Sequence, residues 1–157
     1  MRLSPFALVA TAALVATVAL GGCDVLAPFD ADRGSYSATV TGDQRLSLRG
    51  SGYYSPLTSD QPPLSGILLT DTDDPAIRFE FDGATVSQGR HAIPGEARAR
   101  FEPHDPDEAA YVATGGHVEI TSVSREEARG TFSFTATRPG GTVTVTGEFV
   151  AEAEVLD

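Results

Sequence analysis

The sequence predicts an all-β domain, and three observations carry that prediction. Apolar and polar residues alternate with period two along most of the chain after residue 34, the mark of half-buried strands. Sixteen Gly and ten Pro punctuate the chain and argue against an all-helical protein. Turn signals recur between short β-prone runs, and no run has a convincing helical repeat. Short strands with frequent turns imply an antiparallel β-sandwich or a closed or partly open β-barrel of about nine or ten short strands.

The strands follow in order. In 35–41, Tyr36, Ala38 and Val40 face one way, and Ser35, Ser37, Thr39 and Thr41 the other. Gly42-Asp43 is a tight turn, and Leu46 and Leu48 continue inward with Arg45, Ser47 and Arg49 outward, which completes a hairpin. Residues 50–63 read as loop, with Tyr53 and Tyr54 as packing or contact residues. Residues 65–70 are a short apolar strand. Ile77, Phe79 and Phe81 then alternate with Arg78, Glu80 and Asp82, the clearest strand in the chain. Asp82-Gly83 signals a hairpin into 84–87, and 89–95 reads as loop. The series ends with 96–101, 109–113, 117–124, 129–137 and 142–150. The last two form the strongest hairpin, with Phe132, Phe134, Val143, Val145 and Phe149 inward. Thr39-Val40-Thr41-Gly42 recurs as Thr144-Val145-Thr146-Gly147, too short a match to define an internal repeat.

Composition narrows the function classes. The 157 residues hold 11 Arg, no Lys and 22 acidic side chains, for a net charge of −11. That balance argues against sequence-independent nucleic-acid binding, which needs basic side chains to replace phosphate counterions. A single Cys excludes an intramolecular disulfide, a CxxC redox pair and a Cys-rich zinc site. The acidic excess has two readings, an adaptation to high salt or an attractive surface for cations or a basic partner.

The N-terminus is the most specific segment. Arg2 is the only charge before Asp24, and residues 6–20 are almost entirely Ala, Val, Leu and Thr. Fifteen apolar residues are short for a span, which takes about 20. A basic start, a short apolar run and small residues make a secretory signal. Leu20-Gly21-Gly22-Cys23 resembles the lipobox of bacterial lipoproteins. In that chemistry the Cys23 thiol takes a diacylglycerol group, and Leu20, Gly21 and Gly22 are recognised by the signal peptidase that cuts before the modified Cys. The expected lipid on Cys23 is a diacylglycerol plus an N-acyl chain, and no other cofactor is expected. The expected organisation is a lipoprotein signal peptide at 1–22, a lipidated Cys with a flexible acidic tether at 23–34, one all-β domain at 35–150 and an acidic tail at 151–157. Ten extended tether residues reach at most about 35 Å, enough to hold the domain clear of headgroups.

The C-terminal half is similar to a family of uncharacterised lipoproteins of diderm bacteria. The matching segments are Gly89-Arg90-His91-Ala92-Ile93, His117-Val118-Glu119-Ile120-Thr121, the Gly-Thr-Phe-Ser-Phe-Thr run at 130–135 and the closing strand at 143–149. The resemblance implies an all-β fold and attaches no activity.

Candidate chemistry is sparse. His91, His104 and His117 lie thirteen residues apart. A strand between His91 and His104 separates them by roughly 20 Å, so three cannot meet, while a His91/His117 pair with Glu96 or Glu119 remains geometrically open. Asp71, Asp73 and Asp74 make a carboxylate-dense turn of the kind hard cations accept, without the spacing of an EF-hand loop. No nucleophile elbow, P-loop or dinucleotide fingerprint is present, so no catalytic residue is assigned. The expectation is a non-enzymatic, lipid-anchored binding or structural module of the cell envelope. Its partners would be the membrane, through the anchor, and an envelope protein or small ligand. The alternatives are a lipocalin-like barrel with Tyr53, Tyr54 or Tyr111 at its mouth and, less favoured, an envelope hydrolase.

Overall fold

The computed structural model describes residues 34–55, 65–71, 75–83 and 85–153. These residues form nine strands and no helix: β1 Ser35–Gly42, β2 Leu46–Ser55, β3 Gly66–Thr70, β4 Ala76–Phe81, β5 Gly89–Ile93, β6 Ala97–Glu102, β7 Tyr111–Val123, β8 Glu127–Arg138 and β9 Gly141–Ala153. Eight of them close on themselves in the order β7-β6-β4-β3-β2-β1-β9-β8, and β8 returns to β7. The fold is a closed antiparallel barrel with β5 as one extra strand. Below the start of β1, β2 and β9 meet directly in a short parallel pairing, Tyr53 with Glu152 and Tyr54 with Ala153.

Inward positions are apolar and outward positions polar, the reverse of a membrane-spanning barrel, whose outer band is apolar. An eight-stranded barrel is just wide enough for side chains to fill it, and aromatic rings fill this one. Phe79 of β4 reaches across the interior to Phe132 at 5.2 Å, Phe134 at 5.9 Å and Phe149 at 6.4 Å between ring centroids. At several rungs a large residue stands opposite a small one. Phe132 pairs with Gly147 and Phe149 with Gly130. Tyr36 pairs with Gly50, and Phe79 with Ala99. A Cβ built on Gly147 would lie 2.7 Å from Phe132 Cζ, and one on Gly130 2.9 Å from Phe149 Cζ. Each would also press on a carbonyl of the neighbouring strand, from Ser37 and Glu119 respectively. The glycines therefore admit both the ring and the close approach of two backbones.

Five local features depart from the sequence reading, each for a packing reason. Residues 50–55 continue β2 instead of looping, because Gly50 and Gly52 are strand residues crowded by Tyr36, Thr70, Val150 and Leu69. The two strands expected at 109–113 and 117–124 are one, with its register shifted between Ala113 and Gly115. Residues 85–87 lie outside any strand, so Asp82-Gly83 does not open a hairpin. Residues 89–93 are β5, which pairs with β7 and not with β4. β9 runs to Ala153, with Ala151 fully buried, so the domain extends past residue 150. β5 and β6 lie end to end along β7, separated by the turn at 94–96. Glu96 folds back on β5: its N–H donates to the Ala92 carbonyl, and its carboxylate accepts from the Ala92 N–H, each at 3.1 Å. That contact blunts a strand edge that would otherwise offer free backbone groups.

Gly147→Ala is expected to lower stability by about 1–3 kcal/mol, as overpacking does. Gly115→Ala, where a Cβ meets nothing within 4 Å, should stay within about 0.5 kcal/mol of the parent. Urea unfolding of both variants checks this, and equal destabilisation would contradict the packing argument.

Candidate functional site

The lipidation residues Leu20, Gly21, Gly22 and Cys23 lie outside the described residues, as do Asp73 and Asp74. Asp71 follows β3 and lies close to Gly50 of β2.

The barrel topology brings His117 to the same end as His91 but turns the two apart. His91 pairs with Val118 and Ala92 with His117 across β5 and β7. Directly paired residues share a face, and Val118 is buried. His91 therefore faces inward, edge-on to Phe81 at 5.3 Å, and its Nε2 meets the Ser87 carbonyl at 2.8 Å. His117 faces outward, with its Nδ1 3.1 Å from Arg90 Nη2. The His91/His117 pair that spacing left open is divided by the sheet itself. His104 lies in the loop after β6, at the opposite end of the barrel. Among the described residues no group of three or more His, Cys, Asp or Glu is placed to hold a metal ion.

The three tyrosines do not line one mouth. Tyr53 is exposed, whereas Tyr54 and Tyr111 are buried. Tyr111 lies beneath Arg138, whose guanidinium carbon is 4.3 Å from the ring centroid. Arg138 is also ion-paired with Glu108 and donates to the Ala109 carbonyl at 3.3 Å. The hydrogen bond that Arg138 donates to the Glu108 carboxylate raises the Arg138 pKa further above its ordinary value. Beside it the Asp43 carboxylate accepts from the Thr142 N–H, and the Asp43 N–H donates to the Thr142 carbonyl at 3.1 Å. These contacts clasp the hairpin turns at one barrel end.

At the other end are Gly34 and Ala153, the two limits of the described barrel. The Gly52 N–H donates to the Gly34 carbonyl and the Ala153 N–H to the Glu126 carbonyl, both at 2.7 Å. In the β7–β8 turn beside Glu126, Glu127 is held by Arg129.

A concave feature lies on the outside of the barrel. A groove of about 490 Å3 crosses the outer wall over β2, β1, β9, β8 and β7. Its floor is made of short hydroxyl side chains in register. Thr39 pairs with Thr146, and Thr146 with Ser133. Ser133 Oγ and Thr146 Oγ1 are 3.3 Å apart. One row along, Ser37 stands between Arg49 of β2 and Glu148 of β9. Arg49 and Glu148 form no ion pair among the described residues. Arg78–Glu102 at 3.6 Å and Arg98–Asp82 at 3.5 Å are paired, while Arg45, Arg90, Arg100 and Arg125, like Arg49, form no ion pair among the described residues. His117 closes the β7 side.

Sequence reasoning placed these Ser and Thr outward strand by strand. It missed that three such strands adjoin. The signal was present in the twice-occurring Thr-Val-Thr-Gly: the two copies lie side by side, antiparallel, Thr39 against Thr146 and Thr41 against Thr144. Searches against protein-family models, curated proteins and solved structures found no match for the chain.

Burial raises the Tyr54 hydroxyl above its usual pKa. The native state thus holds this proton more tightly than the unfolded chain. The resulting stability is fully present below about pH 10, the unfolded value, and is lost as pH rises through the higher native value. Denaturant unfolding from pH 8 to pH 11 should show that loss, and Tyr54→Phe should reduce it. An unchanged alkaline slope in Tyr54→Phe would contradict the assignment.

Proposed function

We propose that this chain is a lipid-anchored protein of the bacterial cell envelope whose barrel serves as a non-enzymatic binding module. The observation that carries the reading is Leu20-Gly21-Gly22-Cys23, with the only Cys of the chain placed directly after a short apolar run. The geometry of the barrel suits that anchor. β1 starts at Ser35, so a tether from Cys23 enters at the barrel end that also holds Ala153 and the β7–β8 turn. The clasped end then points away from the membrane, and the groove runs along the side wall, clear of both.

Two competing readings are less well supported. A lipocalin-like calyx needs a hollow interior, and here the rings of Phe79, Phe132, Phe134 and Phe149 meet in the middle. A hydrolase needs a His with a free Nε2 lone pair beside its nucleophile, oriented by a carboxylate on Nδ1. His117 and Ser133 are cross-strand partners, yet Arg90 occupies His117 Nδ1. An arginine only donates, so the neutral ring carries its proton on Nε2 and offers Ser133 no base.

Expression in a diderm host, followed by intact-mass analysis of the membrane fraction, tests the anchor. The expected product begins at Cys23 and carries the mass of a diacylglycerol plus an acyl chain, while Cys23→Ser accumulates as unprocessed precursor. A mature peptide with unmodified Cys23 would contradict the proposal.

A further inference from the structure

We infer that the outer-wall groove binds an oligosaccharide. This names the ligand class for the binding reading above and rests on the barrel wall, not on the anchor.

Three adjacent strands present hydroxyl side chains outward. Every outward position of β1 is Ser or Thr: Ser35, Ser37, Thr39 and Thr41. On β8 the outward run is Thr131, Ser133, Thr135 and Thr137, and on β9 it is Thr142, Thr144 and Thr146 before Glu148. Their registers align in rows, Thr39–Thr146–Ser133 and Thr41–Thr144–Thr135. Neighbours in a row are about 4.8 Å apart, and successive rows about 6.7 Å. The wall is a grid of hydroxyls. Each hydroxyl both donates and accepts, so the ligand that satisfies the grid must also present closely spaced groups that do both. A sugar ring presents its hydroxyls in this way.

The charged groups at the groove fit the same ligand. Arg49 only donates and Glu148 only accepts. They stand on either side of Ser37, two strand spacings or roughly 9–10 Å apart at Cα. That spacing leaves room for one ring between a guanidinium and a carboxylate. Neither is used by another charged side chain among the described residues. On the opposite wall Arg78 and Arg98 of β4 and β6 are paired with Glu102 and Asp82, and Arg100 beside them forms no ion pair among the described residues. With Arg90 on Nδ1, His117 directs an Nε2–H outward as a further donor at the far rim.

Other occupants fit less well. A phosphate or carboxylate would lie against Glu148. A divalent cation would find one carboxylate beside Arg49. An apolar ligand would use none of the remaining donor and acceptor capacity of hydroxyls such as Ser133 and Thr146, which satisfy one another only in part, and desolvating such groups is costly. Phe132 borders the groove but turns its ring into the barrel against Phe79, so binding would rest on hydrogen bonds and be modest in affinity.

The test uses the full-length chain in micelles of a detergent without a sugar headgroup. The probes are linear pentasaccharides of glucose and of N-acetylglucosamine, read by calorimetry and by saturation-transfer NMR. At least one should bind saturably below ~10 mM. The double variant Ser133→Val/Thr146→Val should bind about tenfold more weakly with its Tm unchanged, from the loss of two exposed hydrogen-bonding groups. Arg100→Gln, on the opposite wall, should bind as the parent does. Failure of both saccharides to bind the folded chain would overturn the inference, as would parent-like binding by the double variant. Saccharide binding by a chain with unmodified Cys23 would remove the anchor and leave the groove. A lipidated chain that binds neither sugar would do the opposite.

Discussion

Phe79 lies in the middle of the barrel and touches three phenylalanines from the opposite wall. An eight-stranded barrel has little interior volume, and so many rings enter it only if small residues stand beside several of them. Gly147 faces Phe132, Gly130 faces Phe149 and Gly50 faces Tyr36. The same rule with alanine in place of glycine sets Ala99 against Phe79 and Ala97 against Phe81. The pairing of large and small on these rungs, with large residues meeting on others such as Tyr36–Phe149 and Phe101–Tyr111, fixes strand register, because a slip of one residue would turn the rings to solvent. It also lets the backbones of β1, β9 and β8 approach closely where the glycines lie. Closure of the barrel, its register and its filled interior follow from one steric arrangement.

A filled interior moves recognition to the outside, and the outer surface is not uniform. Over β4 and β6 it carries arginines and carboxylates that pair with one another, ordinary exposed ion pairs that contribute at most about 1 kcal/mol each. Over the middle of β1, β9 and β8 it carries hydroxyls, and the charged residues of those strands are Glu148 and Glu152 on β9 and Glu127, Arg129 and Arg138 on β8. Short side chains on one wall and long ones beside them make the groove. The described residues hold nine arginines against fourteen carboxylates. Much of the acidic excess therefore belongs to the segments at the tether, the loops and the C-terminus. The barrel wall itself is close to charge-matched, which weakens an account of the acidity built on uniform carboxylate cover.

The all-β class and most strands were legible in the sequence because half-buried strands write their burial as alternation. Ile77, Phe79 and Phe81 are inward as the pattern requires, as are Phe132, Phe134, Val143 and Val145. The glycine-rich stretches misled. Gly50-Ser51-Gly52 and the segment from Gly89 read as loops, since glycine ordinarily weakens a strand, yet both are strands whose glycines and neighbours pack on a partner chain segment. Local pattern also carries no information on which strands adjoin. The hydroxyl wall needs β1, β9 and β8 side by side, and the separation of His91 from His117 needs the register of β5 on β7. Both are long-range facts.

The glycine–ring arrangement has a signature that depends on nothing else in the fold. A proton held beneath an aromatic ring is shifted upfield by the ring current. The direct measurement is a proton–carbon NMR spectrum of the assigned glycines, with cross-relaxation to the rings. The account predicts upfield-shifted Hα resonances for Gly147, Gly130 and Gly50, with contacts to Phe132, Phe149 and Tyr36 respectively. Glycine Hα shifts at ordinary strand values, with no contact to those rings, would contradict it.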